Sequence, residues 1–235
     1  MNTSVFAIAD LHLSGAVDKP MYIFGDKWKE HWNRIKDDWA ARVTDRDIVL
    51  IPGDISWAMR LPEAKPDLDA IGSLPGKKIM IKGNHDYWWS SLSKVRNMLM
   101  PSACVIQNDS IELSGFTFCG TRGWVNPGMK DFTAQDAKIY NREVVRLQLS
   151  LESTGYEESE STNDRLIVLL HFPPFDDKGH ETDLVKLLSR YKPAHVVYGH
   201  LHGEGAKNAF EGVYQGSEYH LVSCDYLDFK LKKII

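Results

Sequence analysis

The sequence predicts an α/β fold, and three observations predict it. Short β-branched or apolar runs recur along the 235 residues, and each stops at a polar residue suited to a strand's C-terminal edge. Between them lie stretches whose apolar residues return every three or four positions, as on a helix face. The last runs are spaced as hairpins, which adds antiparallel pairing to the parallel sheet favoured by alternating strands and helices.

The strand-like runs are residues 5–9, 48–51, 78–81, 116–119, 166–170, 195–198 and 220–223. A helix is predicted over 27–43, where Trp28, Trp32, Ile35, Trp39 and Val43 share a stripe, and a second over 133–153. On the second, Thr133 stands as N-cap before Ala137, Tyr140, Val144, Leu147 and Leu151. Residues 152–164 are acidic, rich in Ser and Thr and without periodicity, and read as an exposed mobile loop. Toward the end, 206–211, 213–215 and 220–223 have hairpin spacing. A chain of this length with polar clusters on both sides of the loop reads as a single domain, 1–235.

Composition narrows the functional classes. With 43% hydrophobic residues the chain can bury a core without help from disulfides. A net charge of −4 supplies no basic field, which disfavours nucleic acid and favours a small substrate. Cys104, Cys119 and Cys224 form no C-x-x-C pair and read as reduced thiols. The first apolar run is too short for a signal segment and no run approaches a bilayer's width, so no membrane partner and a cytoplasmic location are expected.

Five of the apolar runs end in residues that bind metals. The first ends in Asp10-Leu11-His12, where alternation along an extended chain would put carboxylate and imidazole on one side. The second ends in Pro52-Gly53-Asp54, the third in Gly83-Asn84-His85-Asp86, the fifth in His171, and the sixth in Gly199-His200-Leu201-His202. Taken singly, D-x-H and G-D are weak signals, because both occur in ordinary turns. Together they are not, since strand C-terminal edges are where open α/β sheets gather ligands. Mixed carboxylate, amide and imidazole donors without thiolate suit Mn, Fe, Zn, Ni or Co. His31, His180, His195 and His220 fall outside these clusters and read as surface or core residues.

The order D-x-H, G-D, G-N-H-D, H, G-H-x-H resembles the calcineurin-like metallophosphoesterase superfamily, with every motif present between residues 10 and 202. The resemblance implies a four-layer αββα sandwich, two mixed β-sheets flanked by helices. It implies two divalent transition-metal ions, one held by Asp10, His12, Asp54 and His202 and the other by Asp54, Asn84, His171 and His200. Asp54 is then the bridge, and a water between the ions is the nucleophile for hydrolysis of phosphomonoesters or phosphodiesters. His85 is expected as general acid with Asp86 as its orienter. The start Asp10-Leu-His-Leu is similar to the lipid A pathway pyrophosphatases of the superfamily, which carry arginine where this chain has His85, so lipid pyrophosphates are disfavoured.

Two further contacts are expected, Arg122 to a phosphate oxygen and Trp88 as a pocket wall, with Trp57 and Trp89 as further wall candidates. Two other readings stay open: a nuclease or cyclic-nucleotide phosphodiesterase, and a non-catalytic scaffold. Retention of the ligands and of the histidine after Asn84 weighs against the scaffold.

Overall fold

The computed structural model describes residues 3–235. The chain packs as two compact units, Met1–Val105 with Val222–Ile235, and Ile106–Leu221. The first unit contains β1 (Val5–Ala7), α1 (His31–Arg42), β2 (Ile48–Pro52), α2 (Leu61–Gly72), β3 (Lys77–Ile81), α3 (Leu92–Met98) and β4 (Ala103–Val105). The second contains β5 (Ser110–Leu113), β6 (Phe116–Thr121), α4 (Ala134–Glu152), β7 (Asn163–Leu170), α5 (Asp183–Tyr191), β8 (Pro193–Tyr198), β9 (Gly212–Tyr214) and β10 (Ser217–Leu221). The chain then returns to the first unit with β11 (Lys232–Lys233).

Both sheets are mixed, as the sequence predicts. In the first unit the order is β11-β1-β2-β3-β4, parallel except for the antiparallel edge strand β11. In the second it is β5-β6-β7-β8-β10-β9, with a parallel centre and antiparallel edges. Helices pack on each. Ile35 and Trp39 of α1, with Ala64, Leu68 and Ile71 of α2, cover Phe6, Val49, Ile51 and Met80. Tyr140, Leu147 and Leu151 of α4 and the apolar side of α5 cover Leu166, Val168, Val196 and Tyr198. Each such aliphatic side chain stabilises its unit by roughly 1.5–3 kcal/mol. Strand β2 is buried along its whole length, which explains its unbroken apolar run.

Several expected elements differ in extent. The first helix begins at His31 and not at 27, because extended Lys29 (ψ 131°) and left-handed Glu30 (φ 54°) interrupt the register; Trp28 sits in a short 3-10 turn yet still reaches the core. Helix α4 starts as expected, with the Thr133 hydroxyl accepting from the Asp136 N–H and the Asp136 carboxylate accepting from Thr133 in return. Residues 206–211 are not a strand; the first half of them belongs to the 3-10 turn Gly203–Asn208. The segment after α4 is exposed but tied down. Glu158 pairs with Arg190, the Ser159 N–H donates to the Arg190 carbonyl, and Thr162 donates to the Gly216 carbonyl. The composition predicts a free loop, and these contacts attach part of it to α5 and to the turn before β10.

Lys78 is charged yet buried, and its ammonium donates to the carbonyls of Gly72, Leu74 and Gly76 at the end of α2. Burial, aided by neighbouring Lys77 and opposed by Asp45, pulls its pKa from 10.5 to about 8. Lys78→Met should cost about 1.5–3 kcal/mol at neutral pH, because it strands buried acceptors. The folded chain gives up this proton before the unfolded chain does, so wild-type stability should rise from pH 8 toward 10.5, widening the gap between the two proteins. Urea denaturation across that range checks both; a gap independent of pH would exclude the shift.

Candidate metal centre

In the first unit the loops following β1, β2 and β3 carry Asp10, His12, Asp54, Asn84, His85 and Asp86. The loop after β1 is zipped to the loop after β2: Asp10 N–H donates to the Gly53 carbonyl (3.1 Å), His12 N–H to Asp54 (3.0 Å) and Leu13 N–H to Ile55 (3.0 Å). Asp10 (φ 60°), His12 (φ 46°) and Asp54 (φ 52°) all sit in the left-handed region, at a cost of roughly 1–3 kcal/mol each. The expectation of an extended D-x-H is therefore corrected. Asp10 and His12 meet through left-handed backbone, not through strand alternation, and their ligating atoms lie within 4.8 Å.

Asp54 completes this group. Its carboxylate lies within 4.8 Å of that of Asp10 and 3.8 Å from His12 Nε2. Asp10 is 0% and Asp54 2% exposed, and two carboxylates buried so close repel unless a cation joins them. The donor set therefore fits a divalent metal. Asp54 Oδ1 also accepts the His85 backbone N–H at 2.8 Å. Gly83 allows that approach, since a Cβ there would lie 2.2 Å from the Asp54 nitrogen. The Cys224 thiol donates to the Asp10 carbonyl (3.0 Å), a support that nothing in the sequence signals.

Asp86 does not orient His85. Its buried carboxylate accepts from the backbone N–H groups of Ile55 (2.8 Å), Ser56 (3.2 Å) and Gly83 (2.7 Å) and from the Trp88 indole (2.9 Å). It thus fastens the loop after β2 to the loop after β3. Burial, with the Asp54 charge nearby, pushes its pKa up, and the backbone donors oppose the rise. Trp88 is likewise corrected. At 1% exposure it is core, holding Asp86 and presenting no face to a substrate. Trp89 is also buried. Trp57 is stacked on His12 at 4.6 Å with Lys19 over its ring, and Trp28 stands edge-on to the same imidazole at 6.3 Å. His85 is half-buried, 5.8 Å from His12 and 4.8 Å from Trp57 between ring centroids. Asn84 is half-buried on the same loop.

In the second unit, His171 is fully buried, and its N–H donates to the Arg122 carbonyl (3.0 Å) while its own carbonyl accepts from Gly199 (3.1 Å). His200 (φ 71°) again departs from extended geometry; its ring stands T-shaped to that of His171 at 5.1 Å and lies 4.0 Å from Phe172. His202 follows at the start of the 3-10 turn, half-buried. The Arg122 guanidinium lies over Trp124 at 4.4 Å and reaches buried Glu143 at 3.5 Å, while its backbone carbonyl accepts from the N–H groups of His171 and Phe172. Beside His200 opens a cavity of about 210 Å³ walled by Trp124, Phe172, Phe175, Tyr198 and Phe210. Its aromatic lining was not legible in the sequence, because the residues come from four separate segments.

The family model for calcineurin-like phosphoesterases matches residues 3–204. No curated protein matches the sequence. Among solved structures, the chain is similar to phosphopantetheinyl hydrolase from Mycobacterium tuberculosis (TM-score 0.59, 15% identity, covering 100% of this chain and 96% of that one). It is also similar to a protein of unknown function from Aquifex aeolicus (TM-score 0.54, 14% identity, 99% and 96% covered). At such identities these likenesses concern the fold. The family match spans every motif from Asp10 to His202, and the chain belongs to the calcineurin-like phosphoesterase family, the metal-dependent hydrolases of phosphate esters.

Proposed function

We propose that the chain is a dinuclear hydrolase of phosphomonoesters or phosphodiesters in which both units form one catalytic domain. The observation that carries the reading is the buried Asp10, His12 and Asp54 group in a chain whose family match reaches all the remaining motifs. Asp10, His12, Asp54 and His202 would hold one ion, and Asp54, Asn84, His171 and His200 the other. When bound, two such ions supply a nucleophilic water at neutral pH and neutralise charge on the phosphoryl oxygens.

The rest falls to the chain's own groups. Stacking on Trp57 fixes the His12 ring, and the His85 N–H fixes the Asp54 carboxylate. His171 is clamped at both its backbone N–H and its carbonyl, and its buried ring packs edge-on against Phe172 and His200, so the imidazole is held before any ligand arrives. His85, half-buried beside His12 and Trp57, donates the proton to the leaving oxygen. The aromatic cavity beside His200 suits a leaving group with an apolar or aromatic portion, and a nucleobase satisfies that description, which keeps cyclic mononucleotides among the substrates to be tried. The charge of −4 weighs against long nucleic acids.

A chelator should abolish hydrolysis of p-nitrophenyl esters, and Mn, Ni or Co should restore it. On a substrate panel with each metal, aromatic esters should show lower KM than polyol phosphates. Full activity in demonstrably metal-free protein would overturn the proposal.

A further inference from the structure

Outside the motifs, the second unit holds a further group of metal-binding side chains on the adjacent parallel strands β8 and β10. His195 stands opposite Glu218, and His220 lies two residues further along β10. Val196, Tyr198, Tyr219 and Leu221 face the helices, so strand alternation turns His195, Glu218 and His220 to the other face of the sheet. There His195 Nδ1 lies 3.1 Å from His220 Nε2, and Glu218 Oε2 lies 3.5 Å from the former and 3.8 Å from the latter.

We propose that His195, Glu218 and His220 form a zinc-type metal site separate from the catalytic residues. Three ligands at the roughly 2.0–2.2 Å bond lengths of a tetrahedral zinc ion lie about 3.3–3.6 Å apart. The three observed separations bracket that spacing. A hydrogen bond between the two imidazoles accounts for the 3.1 Å approach but leaves the carboxylate unexplained, since it stands near both ring nitrogens and beyond normal hydrogen-bond length from each. An ion shared by the three atoms accounts for all of them. Two imidazoles and one carboxylate are a borderline donor set that suits Zn, Ni, Co or Cu and not Ca or Mg. Entry is open on one side: the Glu218 side chain is 48% exposed and that of His195 17%, which also leaves room for a water as fourth ligand. A bound ion would staple β8 to β10 far along the sequence from Asp10 and Asp54, and the site does not depend on the proposed hydrolase activity.

The test uses the full chain, stripped with a chelator and titrated with Zn²⁺, with bound metal counted by mass spectrometry. His195→Ala should bind one equivalent fewer than wild type, and Glu218→Gln should hold that equivalent more than about 10-fold more weakly. Mn-dependent hydrolysis should be unchanged in both. His220 is buried, so the variants are placed at the two more accessible ligands. In wild type the thermal midpoint should keep rising with Zn²⁺ after the tighter sites fill, and neither variant should show that additional rise. Equal stoichiometry and equal affinity in all three proteins would overturn the proposal and leave a hydrogen-bonded histidine pair. Loss of hydrolysis together with the zinc equivalent would overturn its separateness.

Discussion

Asp54→Asn is expected to lower phosphoester turnover by roughly 10³-fold or more and to empty both metal positions, the largest effect of any single ligand change. The reason lies in the place Asp54 occupies. Its two oxygens face different partners, Oδ1 the His85 N–H and Oδ2 His12, and the proposed bridge shares that carboxylate between two ions. Asparagine keeps the shape and can still accept from His85, but it removes the charge that binds cations. Losing several kcal/mol of transition-state stabilisation corresponds to the stated fall in rate. Unfolding would not be the cause. In metal-free protein the variant should melt at or above the wild-type temperature, because replacing Asp54 relieves its repulsion with Asp10 across less than 4.8 Å. Metal content, turnover and melting temperature measured on the same sample separate these effects, and unchanged metal content would refute the bridge.

His85→Ala is expected to keep its metals and lose turnover by roughly 10²- to 10⁴-fold, the contribution of a positioned proton donor. Only the His85 backbone touches Asp54, so the alanine variant retains the 2.8 Å hydrogen bond and the loop geometry. The loss should be greatest for alkyl esters, whose leaving alkoxide needs the proton, and smallest for p-nitrophenyl esters. Asp86→Asn should behave differently from a variant of an imidazole orienter. Its carboxylate joins two loops through four donors, so its replacement should lower stability and metal affinity and slow both ester types alike. Equal slowing of both esters by His85→Ala, or loss of metal from it, would remove the general-acid role.

The α/β class, the strand ends bearing Asp10, Asp54 and His171, and the Thr133 cap were legible because each depends on local pattern. Helix α2 was hidden by Pro62 and Pro66, which obscure its periodicity, and α3 and α5 are too short to repeat a stripe convincingly. The roles of Asp86 and Trp88 were misread for one common reason. Adjacency in sequence suggested contact with His85 or with substrate, whereas the Asp86 carboxylate reaches across to the loop after β2 and the Trp88 indole turns into the core to meet it. The left-handed backbone at Asp10, His12, Asp54 and His200 was equally invisible, since none of these residue types requires it.

The passage of the chain out of the first unit and back has a consequence for biosynthesis. Strand β1 is completed on one side only by β11, Ala9 is bonded to Val222 and Cys224, and the Asp10 carbonyl waits for the Cys224 thiol. At the ribosome, residues 106–221 are all made before any of these partners exists, which at about 5–20 residues per second leaves the edge of β1 bare for many seconds. During that interval Asp10 and His12 are held by the loop after β2 alone, without the Cys224 thiol behind the Asp10 carbonyl, so the nascent chain should hold metal more loosely than the finished one. Until residues 222–235 have been synthesised the proposed metal site lacks part of its support, and a ribosome stalled before them leaves an unpaired, aggregation-prone strand edge.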